Sequence, residues 1–178
     1  FPLHLRPEQI ADTLILVGDP GGGGLVASYF DNVEFTVSGR EFVSSTGSYK
    51  GKRLTVISTG IGTDNIDIVV TELDALANID FATRTEKEQK KQLTLLRLGT
   101  SGALQPDIEL GTFLFSRTSV GFDGLLNFYK GRNEVCDLPI EQAFIKHVGW
   151  SELLPKPYFI DADNSLFELF KDTTREGI

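Results

Sequence analysis

Few residues in this chain are of a type and spacing that could do chemistry, and the clearest group is Leu93-Thr94-Leu95-Leu96-Arg97-Leu98-Gly99-Thr100-Ser101-Gly102. The apolar run has the length and flanks of a strand buried on both faces, and it stops at a turn rich in backbone N–H groups. Its one charge is Arg97. A guanidinium buried without a partner is costly, so an arginine two residues before a glycine turn points to an anion at the strand's carboxyl end, where open α/β sheets place ligands. A salt bridge to an acidic neighbour is the other reading, and the pattern alone leaves both open.

Two further strands end the same way. Leu14-Ile15-Leu16-Val17 runs into Gly18-Asp19-Pro20-Gly21-Gly22-Gly23-Gly24, and Leu54-Thr55-Val56-Ile57 runs into Ser58-Thr59-Gly60-Ile61-Gly62-Thr63-Asp64-Asn65. Glycines between a strand and a helix let a phosphate approach N–H groups at the helix N-terminus. Three such strand ends can converge on one pocket. The first run has no Walker Lys-Ser/Thr after it, and consecutive glycines also suit a mobile turn.

Other chemistries fare worse. Gly99-Thr100-Ser101-Gly102-Ala103 lacks the second glycine spacing of a nucleophile elbow, which makes Ser101 a poor hydrolase nucleophile. Nothing suggests that Cys136 and His147 meet, and the two histidines of the chain have no metal-ligand spacing. Anion binding by glycine turns and arginine is what remains.

With 17 Lys+Arg against 25 Asp+Glu, the net charge of -8 argues against nucleic acid or an anionic membrane as the main partner. The single cysteine excludes an internal disulfide and fits a reducing cytoplasm. No apolar run is long enough to span a bilayer, and the 178 residues suit one soluble domain. Methionine is absent, so trimming is expected at the N-terminus.

The elements that must position these residues read as α/β. Pro7-Glu8-Gln9-Ile10 suits a helical turn, Leu25 to Phe30 a helix, and Val33 to Ile57 antiparallel strands with turns at Ser38-Gly39, Thr46-Gly47 and Lys50-Gly51. A helix follows with Ile66, Val69, Val70, Leu73, Leu76 and Ala77 inward, capped by Asp64 or Asn65, with Asp67 in its first turn. Thr83 to Lys91 is a solvated charged run. Beyond Gln105-Pro106-Asp107, a turn, a strand is expected at Thr112 to Phe115, with loops at Gly121 to Gly124 and Tyr129 to Asp137. A helix from Pro139 to Val148 should turn Ile140, Phe144, Ile145 and Val148 inward and leave His147 on its surface. Tyr158 to Ile160 reads as a strand, and Asp163 or Asn164 as the cap of a helix from Ser165 to about Thr174. Gly177-Ile178 looks like the start of a strand, so continuation of the chain is expected there too.

Gly18-Asp19-Pro20, Arg40-Glu41-Phe42, Ser58-Thr59-Gly60-Ile61-Gly62 and Leu96 to Pro106, in that order and spacing, resemble the nucleoside phosphorylase superfamily. Within it they look most like the uridine phosphorylases. The resemblance implies a three-layer α/β/α fold, with a mixed central sheet flanked by helices, in a single domain over residues 1-178 that lacks its C-terminal part. It also implies a pentosyltransferase of nucleoside catabolism in the cytoplasm, a homo-oligomer (dimer or trimer of dimers) acting on a nucleoside and phosphate with no organic cofactor. The reaction would be reversible phosphorolysis, uridine and phosphate giving uracil and ribose 1-phosphate. A purine nucleoside phosphorylase, a nucleosidase of the same superfamily, or a non-catalytic binding or scaffold protein are the alternatives.

Carried over residue by residue, the resemblance makes Arg97 and Thr100 catalytic. It assigns phosphate to Gly18, Arg40 (from a neighbouring subunit), Arg97, Gly99 and Thr100. Thr100 would also lie near the ribose, with His4 as a substitute for the family's N-terminal histidine, which aligns with Pro2. Glu41, Ile61 and Asn65 would form the monovalent-cation site, for K+, that some members hold between subunits; Asn65 stands where serine is usual. The first loop's phosphate arginine falls at Gly22. The base-recognising Phe-x-x-x-Gln-x-Arg segment and the ribose-binding Met-Glu segment would follow residue 178.

Overall fold

The computed structural model describes residues 2–175, with side chains described through 171. The chain divides into two compact units, Phe1–Gly102 and Ala103–Ile178. The first holds a mixed five-stranded sheet flanked by helices, an α/β arrangement. Its elements are β1 (Thr13–Val17), α1 (Pro20–Ala27), β2 (Asn32–Gly39), β3 (Phe42–Tyr49), β4 (Lys52–Ser58), α2 (Thr63–Asn78), the short pair β5 (Ile79–Asp80) and β6 (Thr85–Glu86), and β7 (Thr94–Arg97). Strand order is β2-β3-β4-β1-β7. β1 runs parallel to both β4 and β7, and the hairpins β2-β3 and β3-β4 are antiparallel.

Strand alternation decides where the helices go. Leu14 and Leu16 of β1 join Phe42, Ile57 and the Val69, Leu73 and Leu76 stripe of α2 in one buried cluster. Val17 points the other way, against Gly22 and Gly23 of α1. The two helices therefore cover opposite faces of the sheet. The N-terminal segment closes the α2 face, with Leu3, Leu5 and Ile10 in that cluster and the Leu3 N–H donating to the buried Glu72 carboxylate.

Several local expectations are corrected. Gly21 to Gly24 are not a mobile turn but the first turns of α1, which begins at Pro20 because Asp19 is an extended N-cap accepting from Gly22 N–H at 2.9 Å. Thr46-Gly47 lies inside β3, since Gly47 is crossed by the Asn32 carbonyl and the Phe30 ring, an approach that no side chain at 47 would allow. The N-cap of α2 is Gly62 at φ 101, which places Asp64 and Asn65 inside the first turn and Asp67 beyond it, and Val70 faces outward. β7 is an edge strand, so its leucines are half-buried and Arg97 is exposed.

In the second unit, β8 (Thr118–Gly121) pairs antiparallel with β9 (Tyr158–Asp161), and three helices follow the chain, α3 (Arg132–Val135), α4 (Leu138–Val148) and α5 (Asn164–Arg175). Thr112 to Phe115 forms no strand; the ladder starts at Thr118. Residues 129–137 are not all loop, because α3 lies within them. α4 is rotated from the expected face: Ile140 and Val148 are exposed, and the fully buried position is Glu141, which pairs with Arg132 and Lys156. Asp163 caps α5 through Leu166 N–H. Gly177-Ile178 lies outside the described residues.

Candidate functional site

Register brings the strand ends together. Leu16 pairs with Arg97 and Val17 with Ser58, so the three chains leave the sheet side by side into their glycine turns. They bound an open cleft of about 600 Å³, lined by Gly18, Asp19, Gly22, Ile61, Arg97 and Thr100, with Gly99 in the same wall and Val17, Leu25, Val26 and Leu98 as its apolar part. The convergence expected of the three turns is what the backbone builds.

Arg97 lies across the floor. Its Nη1 donates to the Leu98 carbonyl, and the guanidinium rests against the backbone of Gly18 and Gly99, where Cβ atoms would stand 3.5 and 3.3 Å from it. Glycine at these places keeps the arginine flat against the turn. Among the described residues no acidic side chain pairs with Arg97, so the salt-bridge reading has no partner here. The N-terminus of α1 opens on the same cleft through Gly22, which adds a partial positive charge to the guanidinium. An anion is the chemistry this wall accommodates.

Arg40 and His4 do not line the cleft. Arg40 sits at φ 55 in the turn between β2 and β3, exposed, and the His4 ring packs 3.0 Å from where a Gly39 Cβ would be, beside that turn. Glu41, the next residue, approaches Gly60 and Asn65. Ile61 belongs to both places, as a residue bordering the cleft and through its carbonyl, which accepts from Asn65 Nδ2 at 3.3 Å. The sequence-derived residues thus fall into a cleft group, Gly18, Ile61, Arg97, Gly99 and Thr100, and a hairpin-end group, His4, Arg40, Glu41 and Asn65.

Asp19 and the apolar wall escaped the sequence reading. Asp19 was legible as an N-cap from its place before Pro20 and a helix; Leu25 and Val26 were not, because a helix start displaced into the glycines changes which face they show.

The chain matches the Phosphorylase superfamily model over residues 12–178. It is 37% identical to a uridine phosphorylase of Haemophilus influenzae over 126 residues, 70% of this chain and 44% of the relative. It is 31% identical to a uridine phosphorylase of Thermococcus kodakarensis over 181 residues, covering 100% of this chain and 59% of that one. A DeoD-type purine nucleoside phosphorylase of Bacillus subtilis is 34% identical over 120 residues, 66% of this chain and 46% of that relative. A solved nucleoside phosphorylase of Trypanosoma brucei, described as showing uridine phosphorylase activity, superposes with a TM-score of 0.84 at 26% identity, over 97% of this chain and 58% of that one. The chain spans about half the length of the curated relatives it matches. Among the described residues no helix is long and apolar enough to cross a membrane. With the family model covering nearly every residue and the strand-end cleft in place, the chain belongs to the phosphorylase superfamily.

Proposed function

We propose that the chain binds phosphate in the strand-end cleft for the phosphorolysis of a pyrimidine nucleoside, uridine and phosphate giving uracil and ribose 1-phosphate. The observation that carries the reading is the exposed guanidinium of Arg97, laid on Gly18 and Gly99 with no acidic partner among the described residues. A phosphate oxygen would attack the anomeric carbon as the bond to the base breaks and its electron pair leaves with the base. Charge builds on the sugar, and a nucleophile already held by Arg97, Gly99 N–H and Thr100 loses little freedom in reaching it.

His4 and Arg40, at the β2-β3 turn beside the end of β4, serve a neighbouring subunit in this reading, the first at the ribose and the second at the phosphate. That requires a homo-oligomer. A cytoplasmic location is the companion expectation, resting on a chain with one cysteine.

Relatives named as DeoD-type purine nucleoside phosphorylases support a purine as the second reading. Incubating the chain with uridine or inosine, each with and without phosphate, and following base release by absorbance separates the cases. Phosphate-dependent uracil release is expected. Hypoxanthine release instead would favour the purine reading, release without phosphate a nucleosidase, and no release with intact phosphate binding a non-catalytic protein.

A further inference from the structure

The resemblance gathers Glu41, Ile61 and Asn65 around a monovalent cation, and the hydrogen bonding of this chain does not fit that group. A cation there needs the Ile61 carbonyl as a ligand. In this chain that carbonyl already accepts an N–H from Asn65 Nδ2 at 3.3 Å, one turn along the start of α2. The same Nδ2 fills the space beside Gly60, so closely that a Cβ at 60 would overlap it, and the Glu41 side chain reaches the same point, its Cγ 3.4 Å away. Gly60 is held at φ 72, so both its backbone conformation and this close approach require glycine.

We infer that the Asn65 amide takes the place of the monovalent cation, supplying from a side chain the positive end that the Ile61 carbonyl accepts, with the Glu41 side chain packed beside it. A serine at 65 has a hydroxyl that can turn a lone pair toward a cation and is too short to fill the space beside Gly60. An asparagine has two N–H donors and fills it. The opposite amide orientation would set Oδ1 against the Ile61 carbonyl, two acceptors together, an arrangement that holds only with a cation between them. The amide is attached to the chain, so the turn before α2 is held whatever ion the solvent contains. This inference stands apart from the phosphorolysis reading, because it concerns what holds the turn and not what the cleft turns over.

The test is thermal unfolding in potassium, sodium or tetramethylammonium chloride at matched ionic strength. The unaltered chain should melt at the same temperature in all three, within about 1 °C, because no site discriminates among the ions. Asn65→Ser should gain a rise of roughly 3–6 °C in potassium over tetramethylammonium, the shift expected of an ion present at about ten times its Kd. Comparing ions within one variant removes any general loss of stability. Asn65→Asp, which keeps the shape and replaces the donor with an anion, should respond in the same direction and serves if the serine variant does not fold. A potassium-specific rise in the unaltered chain would overturn the inference, and so would variants at 65 that fold and remain indifferent to the ion.

Discussion

An exposed guanidinium holds an anion less tightly than a buried one, because water and salt screen it, and Arg97 stands on the edge strand of its sheet. Hydrogen bonds to charged groups contribute about 1.5 to 3 kcal/mol, so Arg97→Ala should weaken phosphate binding roughly tenfold to a hundredfold without unfolding the chain. Arg97→Lys should restore only part of the loss, since an ammonium lacks the planar fork. Titration calorimetry with inorganic phosphate reads both, and unchanged affinity in the alanine variant would remove Arg97 from the site. Arg97 was legible in the sequence as a lone charge before a glycine turn, but not its exposure, which depends on β7 having a neighbour on one side only. Glu141 was not legible at all. Its helix has apolar residues at helical spacing, yet the fully buried position is the carboxylate, with Arg132 Nη2 at 2.5 Å and Lys156 Nζ at 2.6 Å. Burial works against its ionisation, and the hydrogen bonds and charges of Arg132 and Lys156 outweigh it, leaving its pKa below the ordinary value. A carboxyl so lowered stabilises the fold above its unfolded pKa, and that contribution is lost as pH falls through the folded value. Glu141→Ala leaves Arg132 buried and unpaired and should cost about 3–5 kcal/mol, measured by urea unfolding; a loss under about 1 kcal/mol would mean that solvent already satisfies the pair.

At the scale of the element, α1 is the odd one, a helix whose first turns are Gly21 to Gly24. Each glycine there gives up backbone entropy worth about 0.5–1 kcal/mol relative to alanine, so the helix depends on Asp19, Pro20 and its packing on Val17. A Cβ at Gly24 would meet nothing within 4 Å, and Gly24→Ala should stabilise the chain by that amount in thermal or urea melts. Gly22 lines the cleft, and the resemblance sets the family's arginine at this position. Gly22→Arg should tighten phosphate binding by at least about tenfold and lose part of the gain as salt rises, with Asp19 Oδ2, 3.3 Å from the new Cβ, the contact that must yield. Equal affinities at two ionic strengths would show that residue 22 does not reach the anion. Most elements were legible from apolar period and turn residues; the exceptions have physical causes. The helix began in the glycines because a cap outweighed propensity. The strand expected at Thr112 to Phe115 failed because alternation cannot supply a pairing partner, and in β8 and β9 the pairing is made elsewhere: the Tyr158 ring lies over Gly121, where a side chain would overlap it. Tyr158 donates to Asp123, and burial, followed by that carboxylate, pushes its pKa up to about 12. A raised phenol pKa stabilises the fold below the unfolded value near 10 and is lost as pH climbs toward 12, so alkaline melting should coincide with tyrosinate absorbance.

For the whole molecule, the net charge of -8 means that an anionic substrate is drawn in only by local positive groups, and these lie in two places. Arg97 and the start of α1 are in the cleft, whereas Arg40 stands on the β2-β3 turn with no acidic partner among the described residues. In the proposed reading Arg40 completes a neighbouring subunit's cleft, and a two-fold assembly would place each Arg40 toward the partner's Arg97. The convergence of the three strand ends was legible in the sequence, and the resemblance already set Arg40 apart as a neighbour's residue; that Ile61 borders both groups was not, because it depends on how the turn before α2 folds back on Asn65. Mixing tests it. Arg40→Ala and Arg97→Ala variants, each with weakened phosphate binding, are unfolded together and refolded. In a mixed pair the subunit that keeps Arg97 receives Arg40 from its partner, and its site is whole, while the other site lacks both. Random pairing makes about half of all dimers mixed, with one whole site in each, so about a quarter of the sites should regain the affinity of the unaltered chain. A monomer in sedimentation at micromolar concentration, or a mixture that titrates as the plain sum of its two variants, would place Arg40 outside any phosphate site.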